Sequence, residues 1–189
     1  MSNVGQSMGR EDVLATLRQT YAMFDQLLEH FDEAQMGEVH VHGTWTVRDN
    51  LAHLASWDDL EVGWIEDVIA GRRPVLYTDG YECDVSDRPK AIELIHRRNA
   101  QILEECQARP VADVLQEFRE VRTRMLDAVS RLPENAFTDP DVLFWIKLEV
   151  PRDPWIPMPV NCHEHYWDHA NWLRTWIEKE GQEHDLEKG

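Results

Sequence analysis

Apolar side chains recur at intervals of three and four through four long runs of the chain, a spacing that commits each run to a helix with one buried face. In the first run, about Arg10 to Ala34, that face is Val13, Leu17, Tyr21, Phe24 and Leu28. Glu11 and Asp12 sit where a first turn exposes its N–H groups. The second run opens at Thr46, with Asp49 three residues on as capping partner, and ends at Gly71. It carries two overlapping faces. One is Val47, Leu51, Leu54, Ile65 and Ile69; the other is His53, Trp57, Leu60 and Trp64, at i, i+4, i+7 and i+11. A face that wide suits a bundle helix with two neighbours. The third run goes from Pro89 to about Gln107 and restarts at Pro110 through Leu132, with Leu115, Phe118, Met125, Val129 and Leu132 inward. Pro110 lacks an N–H and disfavours a helical residue before it, so a kink or short break is expected there. The fourth run is expected to start at Asn161, an N-cap with Glu164 completing a capping box, and to end near Glu180, stopped by Gly181.

The segments between these runs are long. Gln35–Trp45, with Gly37 and Gly43, reads as a loop, and Gly71–Arg88 as a crossover. Pro133–Val160 is rich in proline and aromatic residues, and within it Phe144–Val150 reads as a short strand or an extended loop. The expectation is an all-α fold: a four-helix bundle with long crossover connections and a kinked third helix. A length of 189 residues suits one domain, 1–189, with a core over about 10–180 and short frayed ends.

Asp and Glu number 36 against 19 Lys and Arg, a net charge of −17. Phosphate backbones and anionic lipid would be repelled, so neither nucleic acid nor a membrane is expected as a partner. The N-terminus has no basic segment followed by an apolar run, and no stretch is long enough to span a bilayer, which predicts a cytoplasmic location. Cys83, Cys106 and Cys162 are odd in number and far apart, as expected of reduced thiols.

The histidines carry the chemistry. On the fourth run His165, His169, Trp172 and Trp176 form a stripe at i, i+4, i+7 and i+11, the spacing that heads the second run with His53. Two histidines four apart on one helical face can share a metal ion, and His53 is the candidate third ligand. Neutral imidazoles suit Zn²⁺, Ni²⁺ or Fe²⁺, and three protein ligands leave positions open for water or substrate. The competing reading is three partly buried histidines hydrogen-bonded to their neighbours. His30, His40, His42, His96, His163 and His184 fall at helix ends, in loops or on polar faces and read as surface residues. Asp49 and Asp168, each near a ligand in sequence, are candidates to support a ligand or act as a base. Asp49 is sufficiently accounted for as the capping partner of Thr46, however, and Asp168, about 100° around the helix from His169, reads better as a surface carboxylate. Trp57 and Trp172 belong either to plain core or to the wall of an apolar pocket for a small-molecule substrate.

Two stretches carry a resemblance: Gly43-Thr44-Trp45-Thr46-Val47-Arg48-Asp49-Asn50-Leu51-Ala52-His53-Leu54-Ala55-Ser56-Trp57 and His165-Tyr166-Trp167-Asp168-His169-Ala170-Asn171-Trp172-Leu173. With the order of the runs over about 10–180, they resemble the DinB-like superfamily of bacterial helical proteins. The resemblance implies a bundle with a long crossover and a divalent metal held by His53, His165 and His169. It also implies an enzyme of small-molecule detoxification or of transfer using a low-molecular-weight thiol as cosubstrate. A metal-dependent hydrolase without a thiol and a non-enzymatic, stress-associated ligand-binding protein are the alternatives. Members pair through helix faces, so a homodimer is compatible with it. The region from Asn99-Ala100-Gln101-Ile102 through Val114-Leu115-Gln116-Glu117-Phe118-Arg119 is similar to the ClbS/DfsB-like branch. Proteins of that branch handle a reactive cyclopropane and need not use the histidines, so the intact triad argues against transferring that activity.

Overall fold

The computed structural model describes residues 9–72, 77–78, 81–82, 88–137 and 158–186. Within them the chain runs α1 (Arg10–Leu28), α2 (Glu33–Glu38), β1 (His40–His42), β2 (Trp45–Thr46), α3 (Val47–Ile69), β3 (Tyr77–Thr78), β4 (Tyr81–Glu82), α4 (Arg88–Gln107), α5 (Val111–Arg131), a 3-10 turn at Glu134–Phe137, and α6 (Met158–Leu186). The architecture is helical, as the periodicity predicts. α3 packs on α5, α4 and α6, while α1 packs on α5 and α6.

The expected inward faces are inward. Val13, Leu17, Tyr21, Phe24 and Leu28 of α1 are buried, as are Val47, Leu51, Leu54 and Ile65 of α3 and Phe118, Met125 and Val129 of α5. Ile69 and Leu115 pack at the edge of that core. Tyr166 of α6 lies fully buried among Tyr21, Phe24 and Phe118, with ring centroids 5.3, 5.3 and 5.9 Å away. Three helices therefore meet at one aromatic cluster, where each pair adds about 0.5–1.5 kcal/mol beyond the area it buries.

Several boundaries differ from expectation, each for a local reason. α1 stops at Leu28 rather than Ala34 because Asp32 is extended and begins α2. The Asp32 carboxylate accepts from Gln35 N at 2.8 Å, and the Gln35 side chain accepts from Asp32 N at 2.9 Å, which closes a capping box. Gln35–Trp45 is thus no loop: most of α2 lies there, followed by the β1–β2 hairpin, in which His42 pairs with Trp45. Gly43 turns that hairpin with φ of 57°, a conformation glycine adopts without a Cβ penalty. The expected break at Pro110 is present: α4 ends at Gln107, and Pro110 is the N-cap of α5. α6 begins at Met158, which puts Asn161 inside the helix rather than at its cap. Pro159 fits that earlier start, because a first turn has no use for its missing N–H. Gly181 does not stop α6, which runs on to Leu186; an interior glycine costs about 1 kcal/mol, which a helix can absorb.

The hairpin β3–β4 occupies part of the first crossover. Phe144–Val150 and Cys83 lie outside the described residues, as do the side chains of Cys162, His163 and His184. Cys106 is a buried free thiol. Among the described residues no helix is long and apolar enough to cross a membrane.

Candidate metal centre

The structure brings the three histidines of the two stripes together. His53 lies in the second turn of α3, and His165 and His169 lie one turn apart on α6. His165 Nε2 is 2.9 Å from His53 Nε2 and 3.1 Å from His169 Nε2, and the ligand atoms of all three lie within 4.8 Å of one another. A tetrahedral Zn²⁺ with Zn–N bonds of about 2.0–2.1 Å would hold its nitrogens about 3.3 Å apart. A small adjustment of side-chain torsions suffices to reach that spacing. Three imidazoles with convergent Nε2 atoms form a donor set suited to a late first-row divalent ion.

Electrostatics keep all three rings neutral, the form that can ligate. Burial, and then the neighbouring His165, lowers His53 to about 3. Burial lowers His165 to about 4, although Asp168 pulls the other way. His169 is held well below the ordinary range by burial first, then by His165, His53 and His42. Neutral imidazoles present lone pairs without proton competition near neutral pH.

Hydrogen bonds and rings hold the triad from the outside. Asn50, fully buried on α3, contacts His169 Nδ1 through Oδ1 at 2.6 Å, and its Nδ2 donates to the Thr46 carbonyl at 2.7 Å. One turn beyond His53, Asp58 is also buried and accepts a hydrogen bond from Tyr166 Oη at 2.7 Å. Along α3 the residues Asn50, His53 and Asp58 meet His169, His165 and Tyr166 of α6, so the two helices are bridged by hydrogen bonds on either side of His53. Trp45 stands edge-on to His53 with centroids 5.0 Å apart. Of the two tryptophans expected beside the site, Trp172 lies 4.5 Å from His169 and Trp57 lies 6.3 Å from His53, centroid to centroid. Trp57 also donates its Nε1–H to Asn99 of α4 at 2.9 Å.

Asn50, Trp45 and His42 belong to this shell; from the sequence, Asn50 and Trp45 have no role at the site and His42 reads as a surface residue. His42 is exposed, yet its ring stacks on Trp172 at 3.9 Å and 6°. The signal for Asn50 was its place on the stripe Thr46, Asn50, His53, Trp57; Trp45 and His42 fall in the stretch that read as a loop. Asp49 and Thr46 form the expected reciprocal cap of α3, at 2.9 and 3.1 Å, and Asp168 is exposed. A separate groove of about 470 Å³ between α2 and α5, lined by Glu33, Met36, Val111, Leu115 and Arg119 among others, shares no residue with the triad.

A family model described as the DinB superfamily matches residues 16–158, well over half of the chain. The chain belongs to the DinB superfamily. The matched span includes His53 and ends before His165 and His169. Among solved structures, the chain is similar to the sibling lethal factor precursor DfsB, at 18% identity with a TM-score of 0.69, over 93% of this chain and 98% of that one. It is similar to an uncharacterised protein from Escherichia coli UTI89, at 16% identity with a TM-score of 0.64, over 92% and 95%. It is similar also to the colibactin self-resistance protein ClbS in complex with double-stranded DNA, at 13% identity with a TM-score of 0.60, over 91% and 96%. These likenesses establish the shared fold. No curated protein sequence matches the chain.

The ClbS complex corrects one expectation. A net charge of −17 was read as excluding nucleic acid, but a protein of this same fold is seen with a DNA duplex. Net charge is a sum over the whole surface, whereas a duplex meets only one face of it, so the sum does not decide the question.

Proposed function

We propose that His53, His165 and His169 hold one divalent transition-metal ion with open coordination positions, and that the protein is a metal-dependent enzyme acting on small molecules. Detoxification or transfer of a low-molecular-weight thiol is the favoured chemistry. The observation that carries this reading is the convergence of three neutral imidazole nitrogens from two helices onto one point. Superfamily membership supports it. A divalent ion supplies Lewis acidity that makes a water or thiol acidic enough to serve as a nucleophile near neutral pH. The chain's own part is to hold the rings neutral, to fix their orientation, and to set Trp57 and Trp172 beside them, whose faces suit an apolar electrophile.

A structural triad is the second reading, favoured by the 2.9 and 3.1 Å separations, which are also the lengths of N–H···N hydrogen bonds. Metal content of protein purified without a histidine tag separates the two. About one equivalent of a transition metal in the wild type, lost in His53→Ala, is the expected result. No metal in either after reconstitution at neutral pH would leave the structural triad standing. Activity that persists fully in a metal-free His165→Ala variant would refute the enzymatic reading, and turnover without any added thiol would favour hydrolysis over thiol transfer.

A further inference from the structure

We propose that Asn50 is a positioning residue: its amide fixes which nitrogen of His169 carries the proton, and so aims a bare Nε2 lone pair at His53 and His165. The consequence for metal affinity rests on the proposed metal site; the tautomer assignment stands on hydrogen bonding alone.

The argument starts at the Thr46 carbonyl. A carbonyl oxygen only accepts, and it lies 2.7 Å from the Asn50 amide, so the NH₂ end of that amide must face it. Turning the amide over would set two oxygens against each other in a fully buried place. With NH₂ committed to Thr46, Oδ1 is the atom 2.6 Å from His169 Nδ1, and Oδ1 also only accepts. Nδ1 therefore carries the hydrogen. In a neutral imidazole the other nitrogen is then the acceptor, and that nitrogen is Nε2, 3.1 Å from His165 Nε2.

The local sequence explains how one helix does this. Thr46, Asn50 and His53 fall at i, i+4 and i+7 on α3, a single stripe. Thr46 is the N-cap, and its carbonyl anchors Asn50; Asn50 orients a ligand on α6, and the next residue of the stripe is itself a ligand. His53 has no comparable support, since its Nδ1 has no hydrogen-bond partner among the described residues and the ring is oriented by Trp45 and its fellow histidines. An orienting partner of this kind typically changes metal affinity by about 10–100-fold.

The test uses metal-free, ¹⁵N-histidine-labelled wild-type protein at pH 7.5, with long-range ¹H–¹⁵N spectra and His169 assigned from a His169→Gln variant. A protonated Nδ1 and an unprotonated Nε2 are expected; the Nε2–H form, which free histidine prefers in water, would overturn the proposal. In parallel, zinc affinity measured against a competing chelator is expected to fall about 10–100-fold in Asn50→Leu. Unchanged affinity in a folded Asn50→Leu protein would also overturn it, and if that variant does not fold the wild-type spectrum decides alone. A wild type that takes up no zinc would refute the metal site, while the spectrum of the metal-free protein would still judge Asn50.

Discussion

Replacing Asp58 by asparagine is expected to stabilise the protein at neutral and alkaline pH and to leave it nearly unchanged near pH 4. Asp58 is 1% exposed and packs where α3, α5 and α6 meet, facing Tyr166 Oη and the Arg122 guanidinium. Its pKa is raised from 3.8 to about 7, with burial the largest cause and the Tyr166 hydrogen bond and Arg122 both opposing it. Between those two values the folded chain holds a proton that the unfolded chain has released. Folding stability then falls as pH rises through that window and levels off above about 7. A shift of about three units at about 1.4 kcal/mol each amounts to about 4 kcal/mol, an upper figure for this group. Asparagine imitates the protonated carboxyl, has nearly its shape, and keeps an oxygen to accept from Tyr166. The stability of Asp58→Asn minus that of the wild type should be near zero at pH 4 and rise by up to about 1.4 kcal/mol per pH unit to a plateau above pH 7. Urea unfolding of chelator-treated protein from pH 4 to 8.5, followed by tryptophan fluorescence and far-UV circular dichroism, measures this. The other acidic residues cancel in the difference. A difference that is flat with pH, or one that grows towards acid, would refute the assignment of Asp58 as a neutral core carboxyl.

Two glycines should respond in opposite directions. Gly63 lies inside α3, and a Cβ there meets nothing within 4 Å, so Gly63→Ala should stabilise by about 0.5–1 kcal/mol in urea unfolding. Gly71 ends that helix at φ of 69° and also has open space, so Gly71→Ala should destabilise by about 1–2 kcal/mol through backbone strain alone. Thr46→Ala removes the hydroxyl that accepts from Asp49 N but keeps the carbonyl that anchors Asn50. It should cost about 0.5–2 kcal/mol of stability while zinc affinity stays within twofold of wild type by chelator competition.

The helical faces were legible because they repeat: a run of five apolar positions such as Val13 to Leu28 identifies a buried stripe without knowledge of what covers it. The triad was legible for the same reason, as two histidines one turn apart and a third heading a like stripe. What the pattern could not carry was long-range pairing. Asp58 sits on α3 as an acid in a core stripe, and its partner Tyr166 is 108 residues away; Asn50 and His169 are 119 residues apart. Neither residue advertises its partner locally. α2 went unseen for a different reason. Its signature Asp32-Glu33-Ala34-Gln35 is a capping box, but it abuts the α1 periodicity and so read as the tail of that helix. The start of α6 turned on a rule that applied twice, since Asn161 and the Pro159 turn both suit a helix start, and the earlier one prevails.

The separation of the histidines has a consequence for how the protein is made. His53 and His165 are 112 residues apart, so the pocket of lone pairs does not exist on a growing chain until the α6 segment has been synthesised and has docked. Closing so long a loop is slow relative to helix formation, which places assembly of the triad after the α1, α3 and α5 helices have formed. Any ion captured there would act as a clasp between an early and a late part of the chain. It would add about 2.7 kcal/mol of stability at a free concentration one hundred times its dissociation constant. Loading would then follow translation rather than accompany it, and the unloaded chain would be the species on which proteolysis acts first.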